Sequence, residues 1–129
     1  MAAVAHALRV LLVEHDPKMA LLVGDILAGD GYDVVGVTVA DDALVQLDDV
    51  DPDVIVLDEV MPESEGLDVA DEIRERRAEQ PIVIFSSLFD RRLRHESHQR
   101  GYVYCEKADG IDRLEACIRE ACRRPRERS

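Results

Sequence analysis

Short apolar runs alternate along the chain with segments in which apolar residues recur every three or four positions. The apolar runs are Leu8–Val13, Asp33–Thr38, Asp53–Leu57, Pro81–Phe85 and Tyr102–Cys105. Such short, uninterrupted runs are typical of strands buried on both faces of a parallel sheet. The segments with helical spacing are 16–29, 41–48, 66–77, 89–100 and 111–123. This alternation predicts an α/β domain in which right-handed crossovers place helices on both faces of a parallel sheet.

Two of the predicted helices carry specific expectations. Asp16 followed by Pro17 predicts a helix whose N-cap is Asp16 and whose first residue is the proline. The fourth helix offers only Phe89 and Leu93 to the core, and polar residues follow where further apolar ones are needed. We expect that helix to be short or poorly anchored.

Polar side chains follow four of the five predicted strands. They are Glu14, His15 and Asp16 after the first strand, Asp58 after the third, Ser86 and Ser87 after the fourth, and Lys107 after the fifth. The carboxyl ends of parallel strands lie on one edge of the sheet, where open α/β sheets bind ligands. Clustered carboxylates repel one another unless a cation offsets them. Acids, a hydroxyl and an amine brought together are suited to receiving a phosphoryl group, with Asp58 as the nucleophile.

Composition limits the classes of function. The 129 residues suit one domain with a substantial core, and the formal net charge of −12 does not favour nucleic acid as a partner. Residues 1–72 contain 2 basic and 18 acidic side chains, whereas residues 73–129 contain 14 basic and 10 acidic ones. Three cysteines without metal spacing indicate a reducing compartment. No secretory signal or membrane span is recognisable, so we expect a cytoplasmic protein.

Four motifs occur in the order and strand context of a known family. They are Glu14-His15-Asp16-Pro17, Asp58-x-x-Met61-Pro62-x-x-x-Gly66, Pro81-Ile82-Val83-Ile84-Phe85-Ser86 and Gly101-x-x-Tyr104-x-x-Lys107. Together they resemble the receiver domains of two-component response regulators. The resemblance covers 1–124 and leaves 125–129 as a charged tail that we expect to be disordered. It implies a flavodoxin-like five-stranded sheet of order 2-1-3-4-5 and a stand-alone receiver domain.

The resemblance also implies residue roles. Asp58 would be phosphorylated by a sensor histidine kinase or a histidine phosphotransfer protein, and Ser86 and Lys107 would bind the phosphoryl group. Tyr104 would change rotamer as Ser86 moves. The metal, Mg²⁺, would be held by the acidic turn with Glu14, by Asp58 and by the main-chain carbonyl of Val60. Such a domain is a phosphoacceptor rather than an enzyme, and it signals through the face of helix 4, strand 5 and helix 5 to a protein target or a second copy.

Two residues depart from the family pattern. His15 stands where the family usually has an acidic metal ligand, and imidazole suits Mg²⁺ poorly. We therefore expect weakened Mg²⁺ binding that depends on pH around ~6.5, the reference value for imidazole, unless His15 points away from the site. Ala108 replaces the usual proline after Lys107, so that peptide bond should be trans.

A phosphoacceptor has three alternatives. An aspartyl phosphatase commonly carries D-x-D-x-T, but Val60 stands at its second acid. A flavin carrier of the same fold needs a phosphate loop after strand one, where Glu14 and Asp16 would repel phosphate. The third alternative stays open: an atypical receiver, weakened at His15, that docks onto partners without being phosphorylated.

Overall fold

Five parallel strands form the central sheet of the structure, a computed structural model that describes residues 7–61, 64–87 and 89–123. The elements of this α/β domain, in chain order, are β1 (Arg9–Val13), α1 (Pro17–Gly29), β2 (Asp33–Val37), α2 (Ala40–Val50), β3 (Val54–Asp58), β4 (Val60–Met61), β5 (Ser64–Glu65), α3 (Gly66–Arg76), β6 (Ile82–Ser86), α4 (Arg91–Gln99), β7 (Val103–Glu106), a 3₁₀ turn (Lys107–Asp109) and α5 (Gly110–Arg123). The sheet order is β2-β1-β3-β6-β7. Counting only these five strands along the chain, this is the predicted order 2-1-3-4-5, so the flavodoxin-like fold is confirmed.

The core consists of two apolar layers, one on each face of the sheet. Residues of α2 and α3 pack on one face, and residues of α1 and α5 pack on the other. The central strands β3 and β6 are buried along their whole length, as continuous apolar runs predict for a doubly covered parallel sheet. None of the helices in the described part of the chain is long and apolar enough to cross a membrane.

The fourth helix is short, as predicted. The prediction that Phe89 packs in the core was wrong. Phe89 is 67% exposed because it lies before α4, whose N-cap is Asp90. Leu93 packs against the core instead. Ser97 is buried, and its hydroxyl donates to the Leu93 carbonyl at 2.7 Å, so a polar residue occupies the inner face of α4 without losing a hydrogen bond.

An ion pair anchors the C-terminal end of α4. The guanidinium of Arg100 donates to the carboxylate of Asp71 on α3 at 2.7 Å. The same carboxylate accepts a hydrogen bond of 2.6 Å from the hydroxyl of Tyr102. These polar contacts hold α4 where its sequence supplies few apolar ones.

A small antiparallel hairpin, β4–β5, follows β3 and was not expected from the sequence. Its two-residue strands are too short to show a hydrophobic period. Pro62 of the second motif and the predicted tail at 125–129 lie outside the described residues.

Candidate phosphoryl-acceptor and metal site

Four of the expected site residues lie at the carboxyl edge of the sheet. Glu14 directly follows β1, Asp58 ends β3, Ser86 ends β6, and Lys107 directly follows β7. Asp58 and Ser86 are the last residues of their strands rather than the first residues after them, a shift of one position. Glu14, Asp58 and Ser86 are buried. The parallel topology therefore brings together side chains that are far apart in the sequence.

Lys107 joins the two buried carboxylates. Its Nζ lies 2.6 Å from Glu14 Oε1 and 3.3 Å from Asp58 Oδ1. The lysine side chain is only 14% exposed, so water screens these pairs less than it screens surface ion pairs. An ammonium group held beside Asp58 is placed to neutralise charge on a phosphoryl group carried by that residue. The Lys107–Ala108 peptide bond is trans, as predicted.

His15 faces into the site rather than away from it. Its backbone N–H donates to Asp58 Oδ2 at 3.4 Å, and its ring Nδ1 contacts the same oxygen. The ring Nδ1 also lies 3.3 Å from Glu14 Oε2. The alternative in which His15 takes no part in the site therefore disagrees with the structure, although its ligand role stays a prediction.

The charges of the cluster shift the pKa values of its members. The hydrogen bond to Asp58 raises the pKa of His15. Burial acts to raise the pKa of Glu14, but contacts with Asp58 and Lys107 outweigh it and lower that pKa. Burial acts to lower the pKa of Lys107, but Glu14 and Asp58 raise it. Each shift favours the charged form of the group, which is the form that the ion pairs need.

The raised pKa of His15 leads to a test by nuclear magnetic resonance without added metal. Because Asp58 is the largest cause of the shift, Asp58→Asn should lower the titration midpoint of the His15 ring. The imidazolium should stabilise the fold fully below pH 6.5, its unperturbed value, and this contribution should be lost as pH rises through the raised pKa. The pH range in which this contribution to stability is lost therefore lies above 6.5. A midpoint unchanged by Asp58→Asn would show that the contact is absent in solution.

Asp16 is the N-cap of α1, as predicted, and its carboxylate accepts a hydrogen bond from the first turn of that helix. Its side-chain oxygen accepts a hydrogen bond of 3.0 Å from the backbone N–H of Lys18, and Pro17 is the first residue of the helix. Three carboxylate or imidazole donors in the described chain come close enough to hold one ion, and they belong to Glu14, His15 and Asp58. Asp16 is not among them.

A third buried acid of the site, Glu59, was not expected from the sequence. Its Oε1 accepts hydrogen bonds from the backbone N–H of Ser87 at 3.2 Å and from the Ser87 hydroxyl at 2.9 Å. Its Oε2 is buried and is the one such side-chain oxygen or nitrogen without a partner among the described residues. Burial raises the pKa of Glu59, and its proximity to Asp58 raises it further. An acid directly after Asp58 was the available signal, but nothing in the sequence showed that it would be buried.

Gly66 holds the backbone after Asp58 at close range. Its N–H donates to the Glu59 carbonyl at 2.8 Å. A Cβ at this position would overlap the Asp58 carbonyl oxygen and lie 2.9 Å from Glu59 Cα. Since both neighbours are backbone, they cannot turn aside as a flexible side chain could, so this close approach requires a residue without a Cβ.

Gly66→Ala should therefore destabilise the protein by about 1–3 kcal/mol, the usual cost of overpacking. Urea unfolding monitored by circular dichroism measures the change. Gly29→Ala is the matched control, because a Cβ there meets nothing within 4 Å, and it should be neutral or slightly stabilising. Equal stabilities of the two variants would mean that the loop relaxes at no cost.

The structure also locates the other predicted residues. Tyr104 pairs with Ile84 on the neighbouring strand, so Ser86, two residues further on, points to the same face of the sheet as Tyr104. Both side chains are buried. The backbone N–H of Val60 lies 3.5 Å from Asp58 Oδ1. These positions do not test the expected roles of Ser86, Tyr104 and the Val60 carbonyl, which stay predictions.

The site fits a divalent cation in charge. When the His15 ring is neutral, ionised Glu14 and Asp58 carry two negative charges against the one positive charge of Lys107. In addition, one buried oxygen of Glu59 has no partner among the described residues. The donor types fit Mg²⁺ less well, because that ion prefers oxygen and His15 offers nitrogen.

The fold and the polar side chains at the carboxyl edge of the sheet agree with a comparison to known protein families. The sequence model for the response regulator receiver domain matches residues 10–119. The chain belongs to that family. Receiver domains are phosphoacceptors of two-component systems, they interact with histidine kinases or phosphotransfer proteins, and they bind Mg²⁺ at an acidic pocket.

Individual relatives agree with the assignment. The chain is 32% identical over 120 residues to the transcriptional regulatory protein TrcR of Mycobacterium tuberculosis, covering 91% of this chain and 46% of TrcR. It is 31% identical over 121 residues to PdtaR, a transcriptional regulatory protein of the same species, covering 92% and 58%. The chain thus spans about half the length of these relatives. The response regulator TrrA of Thermotoga maritima, solved in complex with Mg²⁺-BeF, superposes with a TM-score of 0.77 at 26% identity, covering 88% of this chain and 97% of TrrA.

Proposed function

We propose that this chain accepts a phosphoryl group on Asp58 from a sensor histidine kinase or a histidine phosphotransfer protein. The observation that supports this most strongly is the buried ion pair between Asp58 and Lys107, with Ser86 at the end of the adjacent strand. Asp58 also lies at the sheet edge where ligands bind in this fold class.

In the proposed reaction an Asp58 carboxylate oxygen forms a bond to phosphorus while the bond from phosphorus to the donor breaks. The electron pair of that bond leaves with the donor. Lys107 offsets charge on the phosphoryl oxygens, and the Ser86 hydroxyl donates a hydrogen bond to one of them. A bound divalent cation, held by Glu14, His15, Asp58 and the Val60 carbonyl, would neutralise the remaining charge.

The proposal is tested by incubating the protein with acetyl phosphate and Mg²⁺ and measuring its intact mass. We expect a gain of one phosphoryl group that depends on the cation. If no mass is gained with any divalent cation, this proposal fails, and the phosphorylation-independent interaction module becomes the favoured function. One observation supports that alternative. The imidazole of His15 contacts the Asp58 carboxylate, which is the proposed acceptor.

The output surface would be the α4–β7–α5 face, defined by Phe89, Arg94, His98, Tyr104, Glu106 and Arg113. These residues line a groove of about 350 Å³. Asp109 and Glu120 also line the groove, so its charge is mixed. The exposed ring of Phe89 and this mixed charge are suited to a protein target or a second copy with complementary charge. The rearrangement of Ser86 and Tyr104 would connect this face with Asp58.

The three free cysteines fit a reducing compartment such as the cytoplasm.

Charge reversal tests the output surface. Arg91, Arg92 and Arg94 are exposed on α4, and replacing all three by glutamate should weaken self-association of the acetyl-phosphate-treated protein about tenfold or more at low salt. Added salt should weaken the parent in the same way. Sedimentation equilibrium measures both effects, with Arg76→Glu on α3 as a charge reversal outside the face. Unchanged association in the triple variant would contradict this proposal, whereas no association of the parent at any salt concentration would exclude the second copy as the partner.

A further inference from the structure

The two site carboxylates each have one oxygen facing the lysine and one facing the histidine. Lys107 Nζ contacts Glu14 Oε1 and Asp58 Oδ1. On the opposite side, His15 Nδ1 contacts Glu14 Oε2 and Asp58 Oδ2. The side of the site away from Lys107 therefore presents two carboxylate oxygens and one imidazole nitrogen.

Those donors are close enough to share one ion. One ligand atom from each of Glu14, His15 and Asp58 lies within 4.8 Å of the others. Glu14 and Asp58 are buried, so their oxygens are fixed by the sheet, whereas the half-exposed ring of His15 leaves a route by which an ion can enter.

A second observation concerns Glu59, the acid that directly follows Asp58. Glu59 is buried beside Asp58, and its Oε2 has no hydrogen-bond partner. A buried carboxylate oxygen without a partner is costly. With Glu14 and Asp58 ionised, Lys107 protonated and the His15 ring neutral, one net negative charge remains among these side chains, and this charge favours binding of a cation.

We propose that this site selects a first-row transition-metal ion, such as Mn²⁺ or Zn²⁺, over Mg²⁺. The inference rests on the proposed function, since it concerns the cation of the same site. Mg²⁺ prefers six oxygen ligands and dehydrates reluctantly. Imidazole binds transition ions well, and the affinity of a site with nitrogen and oxygen donors rises from Mn²⁺ towards Cu²⁺. His15 thus changes the identity of the preferred ion and does not merely weaken the site.

Isothermal titration calorimetry with Mg²⁺, Mn²⁺ and Zn²⁺ in turn, without a phosphodonor and at mildly alkaline pH, tests the inference. In the parent we expect Zn²⁺ and Mn²⁺ to bind more tightly than Mg²⁺. His15→Asp should tighten Mg²⁺ binding and reduce the Zn²⁺ to Mg²⁺ affinity ratio by roughly tenfold or more, because changing even an outer-shell partner of a metal ligand typically alters metal affinity by about ten- to a hundredfold. An affinity ratio that is the same in the parent and in His15→Asp would overturn the inference.

The control removes the competing surface histidines. His95 and His98 are exposed at a spacing of three residues on α4 and could bind Zn²⁺ by themselves. The double variant His95→Asn, His98→Asn should keep the parent ratio, whereas a ratio that falls there would place the Zn²⁺ on α4 and overturn the inference. Chemical shifts of the His15 ring on addition of Zn²⁺ provide a direct readout of position. Because no phosphoryl transfer is measured, a failure here is distinct from a failure of Asp58 to accept phosphate.

Discussion

Asp58→Asn should abolish the gain of a phosphoryl group from acetyl phosphate. The amide cannot act as the nucleophile, and among the described acids Asp58 alone combines the end of a central strand, burial and contact with Lys107. Intact-mass measurement after incubation with the phosphodonor and a divalent cation gives the result directly.

The matched control for that substitution is Asp16→Asn. Asp16 lies in the same acidic turn, but its carboxylate caps α1, and asparagine caps a helix about as well as aspartate. This variant should fold and gain the phosphoryl group as the parent does. A phosphoryl group still gained by Asp58→Asn would mean that the acceptor has been misassigned.

Lys107→Met should lower the free energy of unfolding by about 3 kcal/mol at neutral pH. The substitution keeps an apolar stem of similar length but leaves buried Glu14 and Asp58 without their ammonium partner. Removing one partner from a buried ion pair typically costs this much, since the other charge remains buried. Urea unfolding measures the loss, and Lys18→Met, at an exposed position on α1, should change stability by less than about 0.5 kcal/mol.

The pH dependence of the Lys107→Met effect follows from the shifted pKa values. The lowered pKa of Glu14 means that its stabilising contribution is present above its ordinary value of 4.5 and is lost as pH falls through the folded value. The raised pKa of Lys107 means that its contribution is present below 10.5 and is lost as pH rises through the folded value. The difference between parent and variant should therefore be largest between these limits and shrink in acid. A difference that grows in acid would contradict the ion-pair assignment.

The sheet and its site edge could be predicted because their signals are local in the sequence. The apolar run before Asp58 defines a doubly buried strand, and the parallel topology then requires that Glu14, Asp58, Ser86 and Lys107 share one edge. The strand order came from resemblance to receiver domains and is confirmed by the pairing of β1 with both β2 and β3.

The contacts that the sequence did not predict depend on orientation rather than on pattern. His15 could have pointed towards solvent or towards Asp58, and residue type alone does not decide between these. Glu59 follows a strand as many surface acids do, and only the fold buries it against Ser87. Phe89 looked like a core residue because it is aromatic, but the helix begins two positions later, at Arg91.

Chemical trapping of the acceptor is the most direct test of the central claim. The protein is incubated with acetyl phosphate and a divalent cation and reduced with borohydride, which converts an aspartyl phosphate to homoserine. It is then digested and sequenced by mass spectrometry. We predict homoserine at position 58 and at no other acidic position. Homoserine at another residue, or none at all in protein shown to be folded and loaded with metal, would contradict the account.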